Sequence, residues 1–325
     1  MVIIFSLIHT GATAGALLLT ECSRNTLIWS FALWPITALG ITGGAHRLWS
    51  HRSYTATTPI RFLLMICNSM ANQGCILHWA RDHRVHHKFS EMEADPHDAT
   101  RGFFFAHMGW LLVKKEKAVI TEGRKIDLSD LYGDWVVMLQ QRLHPWGNLF
   151  SCFVFPALVA HYGWGESLWT GFLVSGVLRY TLFLHATMMV NSVAHIYGDH
   201  PYDEKSYPAE NLLVSVATIG EGWHNWHHKF PFDYAASEFG ILSQYNPTKL
   251  FVDFCCMVGL CSDRKRATKI WAKLKVTREE EKRAAVAERA EDEAASGKTP
   301  KRVTRSDTRK AAASAKKVAC KRPKA

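Results

Sequence analysis

Charge is missing from two long stretches of this 325-residue chain. No Asp, Glu, Lys or Arg occurs from Val2 to Leu19, and none from Leu27 to Ala45. Each run approaches the ~20 apolar residues that cross a hydrocarbon core, which excludes an ordinary water-soluble globule. Basic residues are also missing between Met1 and the first apolar run. That stretch lacks the n-region of a secretory signal and reads as a retained span. The eight cysteines show no CxxC spacing, and Cys255 and Cys256 are adjacent. This argues against a cysteine zinc site and against a disulfide-built scaffold, and leaves the thiols as packing residues in a reducing compartment.

Two further apolar runs, 149–162 and 168–190, read as a hairpin through the bilayer, although the second carries Arg179 and His185. The turn between them, Tyr162-Gly163-Trp164-Gly165-Glu166, has interface aromatics and no Lys or Arg. The stretch from Arg47 to Arg142 is rich in both, which places it in the cytoplasm by the positive-inside rule, with both termini on that side. The run 59–80 is interrupted by Arg61, Asn68, Asn72 and Gln73. It reads as a helix at the interface, as does 250–261. The expected architecture is an all-α integral membrane protein with four transmembrane helices (2–20, 27–45, 149–162, 168–190) and a cytosolic helical cap formed by 46–147 and 191–263.

Charge is segregated as well. Residues 264–325 hold 21 Lys plus Arg against 8 Asp plus Glu, a balance of +13, whereas the whole chain carries +10. This basic tail forms a second segment, helical over about 277–293 and disordered from Ala294 onward. Its KKVACKRPK run suits solvent or an anionic lipid surface better than nucleic acid, so no nucleic acid partner is expected.

Histidine is what the chain has in quantity. Of seventeen, eight fall in three groups, His46 with His51, His83-His86-His87, and His224-His227-His228, and His195 brings the set to nine. The i, i+3, i+4 spacing of both triads puts each on one helical face. Neutral imidazole binds iron, zinc or copper, and nine ligands are too many for one tetrahedral zinc, so two metal ions fit better. One centre requires all the groups on one side of the membrane. Four spans satisfy that requirement, and a fifth through 59–80 would not. The other eight histidines, at 9, 78, 97, 107, 144, 161, 185 and 200, show no grouping and read as ordinary.

The stretches GAHRLWSHRSY, WARDHRVHHKFSE, ADPH, RGFFFAHMGWLL, VNSVAH, PYD, GEGWHNWHHKFPFDY and ASEFG, together covering about 40–240, resemble the membrane-bound acyl-CoA desaturases of the stearoyl-CoA type. The resemblance implies a desaturase domain over 1–263 in the endoplasmic reticulum membrane. It implies a di-iron centre (two Fe ions) held by His46, His51, His83, His86, His87, His195, His224, His227 and His228, with Asn191 reaching a metal through water. It also implies fatty acyl-CoA and O2 as substrates, cytochrome b5 with its NADH-dependent reductase as electron source, and membrane lipid as surroundings. The reaction would insert a cis double bond at Δ9. Arg81, Lys114 and Lys115 would meet the CoA phosphates, with Asp82 also at the head group. Trp79, Leu77, Leu184 and Met188 would line the acyl tunnel. The chain departs from vertebrate relatives at Gly74-Cys75, where they have Asn-Asp, and at Met188, where they have a tunnel Trp. It also starts almost at the first span, without the family's cytosolic N-terminal segment, as a shortened gene product would.

The chemistry explains the need for metal. A mid-chain methylene has no acidic proton, so acid or base catalysis cannot remove its hydrogen, whereas an oxidised iron-oxygen species can. A fatty-acid or alkane hydroxylase of the same di-iron class shares that chemistry and is the alternative reading. A metal transporter would need ligands along a path through the spans, whereas the histidines read as lying outside them.

Overall fold

The structure is a computed structural model, and it describes residues 1–295. It divides into two units, Met1–Ala267 and Thr268–Ala325. The first contains α1 (Val2–Thr20), α2 (Arg24–Ser50), α3 (Thr58–Ala71), α4 (Ile76–Phe89), α5 (Lys117–Arg124), α6 (Trp135–Leu143), α7 (Trp146–Trp164), α8 (Leu168–Ile196), α9 (Leu212–Ala217), α10 (His224–Lys229) and α11 (Pro247–Met257). The chain is mostly helical, as expected, with two short strands beside the helices. Strands β1 (Thr55–Ala56) and β2 (Cys261–Ser262) pair antiparallel, and isolated bridges join Glu210 to Asp199 and Trp223. These short pairs let connecting backbone satisfy its N–H and C=O groups where no helix forms. The second unit holds α12 (Thr268–Ala295), which contains the charged helix expected at 277–293. Disorder was expected from Ala294. Ala294 and Ala295 are instead the last two residues of α12, and 296–325, with the KKVACKRPK run, lies outside the described residues.

Three helices, α1, α2 and α8, are long and apolar enough to cross a membrane, or up to five if the bent pairs α3–α4 and α6–α7 each count as one span. Helices α2 and α8 run past the apolar stretches read from the sequence. α2 continues to Ser50, winding more widely over Gly40–Ser50, and α8 continues to Ile196. The wide winding shows in the bond from the His51 N–H to the His46 carbonyl, five residues back, at 3.1 Å. Gly40 is required here: a Cβ at this position would lie 2.1 Å from the backbone nitrogen of Asn68, so α2 and α3 touch backbone to backbone.

The apolar run 59–80 is not one interfacial helix. It breaks into α3 and α4, bent by 83°. Asn72 ends α3 in the left-handed region at φ 47°, and Gly74 follows at φ 92°. Both residues tolerate that conformation, so the chain can turn sharply.

At one end of the bundle, the Glu166 carboxylate accepts from the Ser23 N–H at 2.9 Å and from the Thr26 hydroxyl at 2.6 Å. The α1–α2 and α7–α8 turns therefore meet. Arg179, buried in α8, binds α2 and α7 through Thr37 Oγ1 at 3.0 Å and the Cys152 carbonyl at 2.9 Å. A guanidinium among apolar helices persists only when its donors are satisfied in this way. Of the seven described cysteines all are free, and five are buried as packing residues.

Candidate metal centre

Four elements bring the nine histidines together: the end of α2 (His46, with His51 just beyond), α4 (His83, His86, His87), the end of α8 (His195) and α10 (His224, His227, His228). They form two groups. His46, His51, His83, His87 and His227 make one, and His86, His195, His224 and His228 the other, and within each the ligand atoms lie within 4.8 Å of one another. Both triads divide between the groups. His83 and His87 point one way and His86 the other, and likewise His224 and His228 part from His227. The expectation of one face per triad is thus refined. Residues four apart superimpose within about 40°, whereas the third lies to the side and reaches a neighbouring point.

Within the first group Nε2 atoms approach at 2.9 Å (His46–His227), 2.8 Å (His51–His83) and 2.9 Å (His87–His227). In the second they approach at 3.0 Å (His195–His224), 3.1 Å (His224–His228) and 3.3 Å (His86–His228). Three carboxylates act from behind. Asp95 stands 2.9 Å from His86 Nδ1, Glu91 2.6 Å from His195 Nδ1, and Glu221 2.9 Å from His46 Nδ1. Each holds a proton on Nδ1 and leaves the Nε2 lone pair facing inward. Inward lone pairs at hydrogen-bond separation repel unless a cation lies among them, so the donor set fits metal. Burial, with like-charge neighbours adding to it, pushes the pKa of His224, His227 and His228 well below the usual histidine value. This favours the neutral form that ligation requires.

Glu221 is itself anchored by Arg47, which donates from Nη2 at 2.8 Å and from Nε at 3.1 Å. Burial alone would raise the Glu221 pKa, but the Arg47 guanidinium and His46 outweigh it and hold the carboxyl at about 2. These supports were not assigned from sequence. The signal was present, since Glu91 and Asp95 follow the second histidine group and Glu221 precedes the third. His97 was read as ordinary, yet its ring centroid lies 4.2 Å from that of His86, and Asp95 joins them in a third cluster. Asn191 belongs to neither histidine group. It lines a small cavity together with His46, His83 and His224.

A larger cavity of about 870 Å³ opens beside His83 and Asn191 and runs between α1, α7 and α8. Its size is that of sites that enclose lipid-sized or drug-sized ligands. Trp79, Leu184 and Met188 line it, and Trp79 stacks on His83 at 4.9 Å. Leu77 does not line it, being buried in the core with Val136 and Val137 because its side of α4 faces α6. Gln73 and Thr187 also line the cavity and are joined by a 2.9 Å hydrogen bond across it. At its polar margin Asp82 pairs with both Arg81, at 2.8 Å, and Lys115. Lys114 beside them is exposed.

Comparison with known proteins agrees with this geometry. The family described as fatty acid desaturase matches residues 25–243. Stearoyl-CoA desaturase 5 of Bos taurus is 53% identical over 268 residues, covering 82% of this chain and 79% of the relative. Its Homo sapiens counterpart is 52% identical, covering 82% and 81% respectively. Stearoyl-CoA desaturase of Sus scrofa is 48% identical, covering 86% and 78%. With nine inward-facing histidines beside an apolar cavity and this degree of identity, the chain belongs to the fatty acid desaturase family, among the acyl-CoA desaturases.

Proposed function

We propose that the protein inserts a cis Δ9 double bond into a saturated fatty acyl-CoA, using O2 and electrons from cytochrome b5 and its reductase. The observation that carries this reading is an apolar cavity that opens at His83, a member of the first of two histidine groups whose ligand atoms converge. The five-histidine and four-histidine groups would each hold one iron, with Asn191 reaching a metal through water. When bound, such a pair supplies the oxidising power to remove hydrogen from an unactivated methylene.

The chain's own residues then do the positioning. Arg81, Lys114 and Lys115 attract the CoA phosphates, and Asp82 orders Arg81 and Lys115 between visits of the substrate. Leu184 and Met188 exclude water from the acyl chain, and Trp79, held against His83, fixes which carbons stop beside the metals. Holding one methylene pair in reach converts a chain of equivalent carbons into one reactive site. The joined turns at Glu166, at the end of the bundle away from the histidines, favour two membrane hairpins. The four spans are then α1, α2, α7 and α8, in the endoplasmic reticulum membrane with cap and termini cytosolic. The exposed apolar residues Leu250, Phe254 and Met257 of α11 suit an interfacial seat for the cap.

Expression in yeast lacking its own acyl-CoA desaturase is expected to restore growth without added unsaturated fatty acid. Mass spectrometry is expected to place the double bond at carbon 9. Hydroxylated fatty acids as the sole products would overturn the reading in favour of the hydroxylase.

A further inference from the structure

Three histidines outside the metal centre form a continuous hydrogen-bonded chain. His9 of α1 lies with Nδ1 2.7 Å from the Phe5 carbonyl and Nε2 3.0 Å from Nε2 of His185 in α8. His185 Nδ1 lies 3.0 Å from Nε2 of His107, and His107 Nδ1 lies 2.9 Å from the Ser192 hydroxyl. The Ser192 hydroxyl in turn lies 2.9 Å from the Met188 carbonyl. The three rings come from three separate segments of the chain, α1, 103–112 and α8.

The proton count of this chain is decisive. Both ends are carbonyl oxygens, which only accept, so its five contacts need five protons. Three neutral imidazoles and one hydroxyl supply four. The neutral chain therefore leaves one contact without a proton. The Ser192 hydroxyl can turn either to His107 or to the Met188 carbonyl, not to both. A fifth proton satisfies every contact and spreads one positive charge over three rings. The ionisable groups that face His185 are His107 and His9, and Phe103 stacks on His107 at 5.4 Å. No described carboxylate is paired with the chain to hold the charge permanently.

We propose that His9, His185 and His107 store one proton and deliver it through Ser192 to the reduction of O2 at the histidine centre. Ser192 lies three residues before His195, about one turn of α8 from a member of the four-histidine group. This rests on the desaturase reading, in which a saturated acyl chain, O2, two electrons from the external donor and two protons give the alkene and two waters. The acyl chain and the donor are oxidised, and O2 is reduced. The store supplies one of the two protons and is refilled from water.

The test uses the iron-loaded full chain with ring-¹³C histidine, followed by infrared spectroscopy across pH. The wild type minus His185→Gln difference is expected to show one titrating imidazolium in excess. Ser192→Ala is expected to lose that signal, since three neutral rings then supply a proton to each of the three remaining contacts, and to raise hydrogen peroxide released per double bond by roughly tenfold. His185→Gln is expected to raise it equally, with two irons per chain retained in both variants. Loss of iron from His185→Gln would assign the rings a structural role and overturn the proposal. So would an unchanged peroxide ratio in Ser192→Ala, or the absence of the extra imidazolium in wild type. A wild type that forms no double bond defeats the desaturase reading separately, and leaves the infrared result standing on its own.

Discussion

At the scale of the residue, the centre depends on what stands behind each imidazole. Asp95 is 1% exposed in its side chain and bonds Nδ1 of His86. Asp95→Asn keeps the shape but can offer its amide N–H to Nδ1, moving the ring proton to Nε2 and removing the ligand lone pair. Iron retention measured against a chelator series is expected to weaken by about 10–100-fold, the usual cost of losing such a support. Unchanged retention would exclude the orienting role. His227→Ala and His86→Ala remove one ligand from each group. Both are expected to abolish desaturation while membrane insertion, read by carbonate extraction, stays intact. Glu221 is held at about 2 in the folded protein against roughly 4.3 in an unfolded chain. Its folded value is the lower one, so its contribution is full above about pH 4.3 and is lost as pH falls toward 2. Glu221→Gln leaves Arg47 buried without its countercharge, at a cost of about 3–5 kcal/mol. Thermal unfolding at pH 7 checks this, and a midpoint equal to wild type would contradict it.

At the scale of the element, close backbone contacts set where the ligands arrive. Gly40 lets α2 lie against Asn68 of α3, and α2 carries His46 one and a half turns further on. Gly40→Val is expected to separate the helices, lower the unfolding temperature by several degrees and reduce iron content. Gly163→Val, where nothing lies within 4 Å of the added Cβ, is the control. Equal behaviour of the two variants would show that the approach is not needed. Apolar runs located α1, α2 and α8 but not the ends of α2 and α8. The apolar runs read from the sequence stop at Ala45 and Val190, yet α2 and α8 continue to Ser50 and Ile196, because a helix persists past the apolar stretch when neighbours satisfy its polar residues. The bend between α3 and α4 was equally hidden, since Asn72 and Gly74 permit a left-handed turn without requiring it.

At the scale of the whole molecule, the two turns joined by Glu166 and the histidines at the other end of the bundle make a polarised structure. Under the four-span reading, a glycosylation acceptor inserted at 163–165 is expected to be modified in the endoplasmic reticulum lumen, and one inserted at 125–128 is not. Modification at the second site would reverse the orientation.

The identity of the nine histidines, their metal-binding chemistry, the membrane character and the family resemblance were all legible in the residues, because ligand type, charge-free length and local spacing are properties of the chain itself. The division of the triads between two groups, the carboxylates behind them, the burial of Leu77 away from the cavity and the His9–His185–His107 chain were decided by the tertiary structure. Each of these joins or orients residues through packing between elements far apart in sequence, and spacing within one helix carries no record of which neighbour its sides will meet.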